Sequence, residues 1–181
     1  MVFAALALAA HSPLLAQSDV PDKQLRSISA PSTAPDFRLL DMKSRPHTLS
    51  DFEDRVILVN FWATWCPPCR KEMPALERLS RRQGAETFEV VAINVAEDAE
   101  RAGRFLDSLP EQPTFTVLLD PDGEVARDWG VKVLPTTWVV DRETRMVLGA
   151  VGEVDFDSAV LREQLQGLIT GHPVADATEG R

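Results

Sequence analysis

Apolar residues along this chain fall into two alternating patterns, short unbroken runs and stripes spaced three to four residues apart. RVILVNFW at Arg55–Trp62 and FEVVAINV at Phe88–Val95 are unbroken, as buried parallel strands are, and TFTVLLD at Thr114–Asp120 reads as a third strand closed by the turn residues PDG. Between the first two, the stretch that begins at Cys66 and runs through MPALERLSRRQ is helical. EDAERAGRFLDSL at Glu97–Leu109 is an amphipathic helix with Ala102, Phe105, Leu106 and Leu109 on one face. DFRLL and PHTLS, at Asp36–Leu40 and Pro46–Ser50, predict a small N-terminal hairpin. A short helix is expected near Glu124–Trp129. VLPTTWVVD and RMVLGAVG then form a hairpin across Asp141–Arg145, and the helix DFDSAVLREQLQGLI closes the domain, capped by Asp155 with Ser158 three residues on. Strands alternating with helices and ending in a hairpin and a helix predict an α/β fold, one mixed central sheet flanked by helices.

The two ends differ from this middle. MVFAALALAA carries no charge and leads through HSPLLA to a small residue at Ala16, so residues 1–16 read as an export signal peptide, with an uncut membrane anchor as the alternative. As a helix the segment would reach only about 24 Å, short of the roughly 30 Å hydrocarbon core. Residues 17–35, QSDVPDKQLRSISAPSTAP, lack apolar periodicity and predict a flexible linker. GHPVADATEGR at 171–181 predicts a disordered tail, which leaves 36–170 as one folded domain. The location implied is periplasmic or otherwise extracytoplasmic.

Charge narrows the choice of partner. With 28 acidic against 19 basic side chains the net charge is −9, and no basic stripe offsets it, so phosphate backbones and anionic lipid are disfavoured and no nucleic-acid partner is expected. A monomer is expected.

The only cysteines are Cys66 and Cys69, in NFWATWCPPCR. A disulfide closing so short a loop removes little chain entropy, about 2 kcal/mol against roughly 5 for a loop of a hundred residues, so stapling explains the pair poorly. Zinc wants about four ligands, and His11, His47 and His172 are scattered with no second CxxC, so no metal and no cofactor is called for. Redox chemistry fits better. A CxxC directly after a buried strand and at the first turn of a helix meets free backbone N–H groups and the positive end of the helix dipole, which favour the thiolate that attacks disulfides. Cys66 at the N-cap, the more exposed sulfur, is the expected nucleophile, and Cys69 one turn inward the resolving thiol. Pro67 and Pro68 tolerate the missing N–H at N1 and N2 and hold φ near −65°. They leave the Cys69 and Arg70 amides as the first backbone donors within reach of the Cys66 sulfur. Trp62 reads as core, whereas Trp65 beside the nucleophile is expected to line the substrate face with the two prolines.

FWATWCPPCRKEMP at Phe61–Pro74, VVAINVAED at Val90–Asp98 and VLPTTWVVD at Val133–Asp141, in that order, resemble the thioredoxin superfamily. Within it they resemble the extracytoplasmic, redoxin-type TlpA/ResA-like thiol-disulfide oxidoreductases associated with cytochrome c maturation, over about Asp36–Ile169. The resemblance implies a thioredoxin-like fold with a central βα insertion, supplied by Glu111–Trp129. It also implies a cis Pro135 packed against the Cys66 sulfur, with Leu134 offering backbone groups to an extended client. Thioredoxins carry a buried aspartate where this chain has Asn60. Glu97 matches an acidic residue near the disulfide in ResA-like relatives and is the candidate proton acceptor for Cys69. Its alternative reading is an acid favouring the start of the following helix.

The function expected is therefore thiol-disulfide exchange, as a reductase of exported clients with cysteine pairs, such as apocytochrome c, recharged by a membrane thiol-disulfide donor. A redoxin-type peroxidase shares the fold but places its cysteine in a PxxxTxxC context, absent from WATWCPPC. A copper chaperone on this scaffold uses CxxxC with a histidine, and neither is present.

Overall fold

Residues 23–84 and 86–171 are described by the structure, a computed structural model. In chain order the elements are β1 (Arg26–Thr33), β2 (Arg38–Asp41), β3 (Pro46–Thr48), a 3-10 turn at Leu49–Phe52, β4 (Val56–Trp62), α1 (Pro67–Gln83) and β5 (Phe88–Val95). They continue with α2 (Ala99–Asp107), β6 (Thr116–Asp120), α3 (Glu124–Asp128), β7 (Thr136–Val140), β8 (Arg145–Val151) and α4 (Ala159–Thr170). The strands form one sheet of order β1-β8-β7-β4-β5-β6-β2-β3. β4, β5 and β6 run parallel, and the hairpin β7–β8 and the hairpin β2–β3 join antiparallel on either side, so the sheet is mixed. The fold is thioredoxin-like, and Glu111–Trp129 does hold one βα unit, β6 with α3.

Every residue of β4 is buried because helices and loops cover both faces of the sheet. Val56, Leu58 and Trp62 point to one side, among Cys66, Cys69, Met73 and Leu76 of the α1 region and Leu161 and Leu165 of α4. Ile57, Val59 and Phe61 point to the other, among Phe37, Phe52, Val125 and Trp129. By the same alternation Asn60 faces the cysteine side. The long continuous strand thus delivers the chain, at its carboxyl end, straight to Cys66.

Two boundaries depart from the sequence expectation. Part of the presumed linker is structured: Arg26–Thr33 forms β1, antiparallel to β8, with a register shift between Ser27 and Ser32 that accommodates Pro31. Leu25 before it and Ala34 after it are buried. α4 is capped by Ser158, whose hydroxyl accepts the Leu161 N–H, and not by Asp155, whose carboxylate accepts the Asp157 N–H one turn earlier. The export segment (1–16), the first part of the linker and residues 172–181 lie outside the described residues.

Gly149 illustrates how tightly the β7–β8 hairpin is closed. It sits opposite Trp138, and a Cβ there would stand 2.4 Å from the indole ring. Gly149→Ala is expected to force the ring aside and cost about 1–3 kcal/mol, read as a lower urea midpoint with an unchanged slope.

Candidate active site at the Cys66–Cys69 disulfide

Cys66 is the N-cap of α1, with extended backbone, and Pro67 and Pro68 occupy the first two helical positions. Cys66 and Cys69 are joined by a disulfide with Cα atoms 5.3 Å apart. The Cys69 N–H donates to Cys66 Sγ at 3.3 Å. The Arg70 N–H, expected to be a second donor, is instead taken by the Cys66 carbonyl at 3.2 Å, as the first regular helical bond requires. Among the described residues one backbone donor therefore serves the Cys66 sulfur. The expected difference in exposure is small, 2% for Cys66 against 0% for Cys69, so both sulfurs lie buried within the surrounding rim.

That rim is apolar. Trp65, Val133 and Val151 are 60%, 56% and 70% exposed, among the few large hydrophobic side chains turned to solvent in the described residues. Topology gathers them at one end of the sheet: Thr136 pairs with Phe61 near the end of β4 and with Val151 at the end of β8, and Val133 lies just before Thr136. The Leu134–Pro135 bond is cis, as the resemblance implied. Pro135 is buried and its carbonyl accepts the Gly152 N–H at 2.8 Å, while Leu134 is half-buried and Pro67 is exposed. Trp62 is fully buried, as read from the sequence.

Glu97 lies beside this site in a different relation from the one expected. It precedes α2 by two residues, and Asp98, not Glu97, caps the helix. Its buried carboxylate accepts the Thr64 N–H at 2.7 Å and the Thr64 hydroxyl at 2.6 Å, the Asn94 amide at 2.9 Å, and the Arg101 guanidinium at 2.7 Å. These bonds tie the turn before Cys66 to β5 and α2. Both oxygens are filled by donors, and none of these bonds reaches a cysteine, so proton acceptance is a poor fit and bracing a good one. Glu97→Gln is expected to lower stability by about 1–2 kcal/mol while leaving the pH dependence of disulfide exchange in place; parallel unfolding and stopped-flow measurements check both.

A second buried carboxylate, Glu72, lies one turn beyond Cys69 on the same helix face. It is 3% exposed, its Oε1 accepts the Val154 N–H at 2.6 Å, and its Oε2 has no hydrogen-bond partner at bonding distance among the described residues. Burial pushes the carboxyl up to about 7 from 4.5; the Val154 amide opposes this, Glu153 adds to it, and Asn60 and Lys23 oppose it. Asn60 itself donates to Thr137 Oγ1 and keeps a buried Oδ1 that has no partner among the described residues. The sequence carried a signal for this residue: a glutamate inside the apolar stripe of Cys69, Met73 and Leu76, where a charge has no ordinary reason to stand.

Comparison with known proteins agrees with this geometry. The Redoxin family model matches residues 29–164. The thiol-disulfide oxidoreductase ResA of Bacillus subtilis is 36% identical over 126 residues, 70% of this chain and 69% of that protein, and ResA of Geobacillus thermodenitrificans is 34% identical over 120 residues, 66% and 68% of the two chains. Among solved structures, a Chlorobium tepidum protein assigned as a thiol:disulfide interchange protein of the DsbE type superposes with a TM-score of 0.71 at 34% identity, covering 79% of this chain and 99% of that one. With a disulfide at the start of α1, a cis proline at the same end of the sheet and these relatives, the chain belongs to the Redoxin family of the thioredoxin superfamily, and within it to the ResA-like thiol-disulfide oxidoreductases.

Proposed function

We propose that this protein works outside the cytoplasm as a reductase of client disulfides, with exported proteins that carry cysteine pairs, such as apocytochrome c, as its substrates. The observation that carries the direction of electron flow is the single backbone N–H at Cys66 Sγ. A thiolate with one donor is less stabilised than one with several, and the less stable the dithiol form, the more reducing the pair.

In the cycle, the Cys66 thiolate attacks one sulfur of the client disulfide. The client S–S bond breaks, a Cys66–client disulfide forms, and the departing client thiolate takes a proton from solvent. Cys69 then gives its proton to Glu72 and attacks Cys66 Sγ, which breaks the Cys66–client bond, forms Cys66–Cys69 and expels the second client sulfur as a thiolate that takes a proton from solvent. Two electrons pass to the client, and a membrane dithiol donor returns them by the reverse sequence. Trp65, Val133 and Val151 supply apolar contact for an extended client, and the backbone around Leu134 and the cis Pro135 lies at the same sheet end to pair with it.

The test mixes reduced protein with an oxidised CxxCH peptide and, separately, with hydrogen peroxide. Rapid reduction of the peptide and no peroxide consumption beyond that of a free thiol is expected. Peroxide turnover without peptide reduction, or net oxidation of reduced peptide, contradicts the proposal.

A further inference from the structure

We infer that the segment Lys23–Leu25, which the sequence assigns to a flexible linker, is a positioning element for Glu72. It forms the outer half of a clasp on the loop between β8 and α4. From inside, Glu72 Oε1 accepts the Val154 N–H at 2.6 Å. From outside, the Lys23 carbonyl accepts the Asp155 N–H at 2.8 Å, and Lys23 Nζ pairs with Glu153 Oε1 at 2.8 Å. Three consecutive loop residues are thus held, and the N–H of the middle one donates to the buried carboxylate.

The segment is itself anchored. Leu25 is 2% exposed in the same apolar cluster as Cys66, Cys69 and Met73, and Gln164 of α4 donates to its carbonyl at 3.3 Å. Loosening it lets the Val154 N–H drift from Glu72, which removes the bond that favours the ionised carboxylate. Charged groups on both sides also act on Glu72: Lys23 on the segment favours the ionised form, Glu153 on the loop opposes it, and the neutral Asn60 amide on β4 favours the ionised form. A looser segment therefore leaves more Glu72 protonated at neutral pH, unable to take the Cys69 proton.

This inference rests on Glu72 as the proton partner of Cys69, and the test separates the two. Reduced full-length protein is mixed with Ellman's reagent between pH 5 and 9. The first coloured thiolate reports attack by Cys66 and the second reports resolution by Cys69. Leu25→Ala is expected to move the midpoint of the resolution profile up by about half a unit, about twofold slower at pH 7, without changing the first phase. Lys23→Glu, at an exposed side chain that does not endanger folding, should move it the same way. Adding either change to Glu72→Gln should produce no further shift. Wild-type midpoints in Lys23→Glu and in folded Leu25→Ala overturn the inference while leaving the role of Glu72 intact. A wild-type profile in Glu72→Gln overturns the role of Glu72 first.

Discussion

Cys69→Ser is expected to accumulate a covalent disulfide between Cys66 and its client, whereas Cys66→Ser should trap none, and each change should lower multiple-turnover exchange by at least about a thousandfold. The asymmetry follows from position on α1. Cys66 caps the helix, receives the Cys69 N–H and adjoins the exposed Trp65, while Cys69 is fully buried one turn inward. A client sulfur approaching over the apolar rim meets Cys66 first. Once the mixed disulfide has formed, only Cys69 can reach it from behind. Non-reducing gels of each variant after incubation with an oxidised peptide report the trap directly, and trapping by Cys66→Ser in place of Cys69→Ser would reverse the assigned roles.

The second large effect is expected at Glu72. Its carboxyl sits at about 7 in the folded protein against 4.5 ordinarily. Between those values the folded chain holds a proton that the unfolded chain has released, so stability falls as pH rises through that window. At about 1.4 kcal/mol per unit, the deficit reaches about 3 kcal/mol above pH 7. Glu72→Gln removes it. The variant should match the wild type near pH 4, become more stable by up to about 3 kcal/mol at pH 8, and at the same time resolve mixed disulfides more slowly, without the wild-type rise through neutrality. Urea unfolding of the oxidised protein across this range, beside single-turnover exchange, measures both. A buried carboxylate retained at a cost to stability is what a proton-transfer role predicts; a pH-independent stability difference would remove that argument.

Much of this was legible in the sequence because the decisive signals were local. The apolar run of β4 and β5, the helical spacing of α2 and the CxxC at a strand-to-helix junction each specify their own structure. The cis peptide at Pro135 was legible only through the family resemblance, since a proline at a strand boundary does not declare its isomer. β1 was hidden because an edge strand bonded on one side, with Ile28 as its only large apolar residue, needs no alternating pattern. Glu97 and Glu72 were separated by tertiary contacts. Thr64, Asn94 and Arg101 converge on Glu97 from three segments, and Val154 comes to Glu72 from across the fold. Neither set of donors can be read from spacing, although the misplaced charge in the α1 stripe was a readable anomaly.

In the proposed function Cys66 and Cys69 cycle as a reducing two-electron pair on an otherwise fixed fold. The most direct measurement is a redox titration of the intact protein in dithiothreitol and glutathione buffers, followed by the fluorescence of the nearby tryptophans and by thiol alkylation. A single reversible transition is expected, with a tenfold change in the reduced-to-oxidised ratio per about 30 mV and a midpoint nearer the roughly −270 mV of thioredoxin than the roughly −120 mV of DsbA. A disulfide reduced only when the protein unfolds, or a midpoint at the oxidising end of that range, would contradict it.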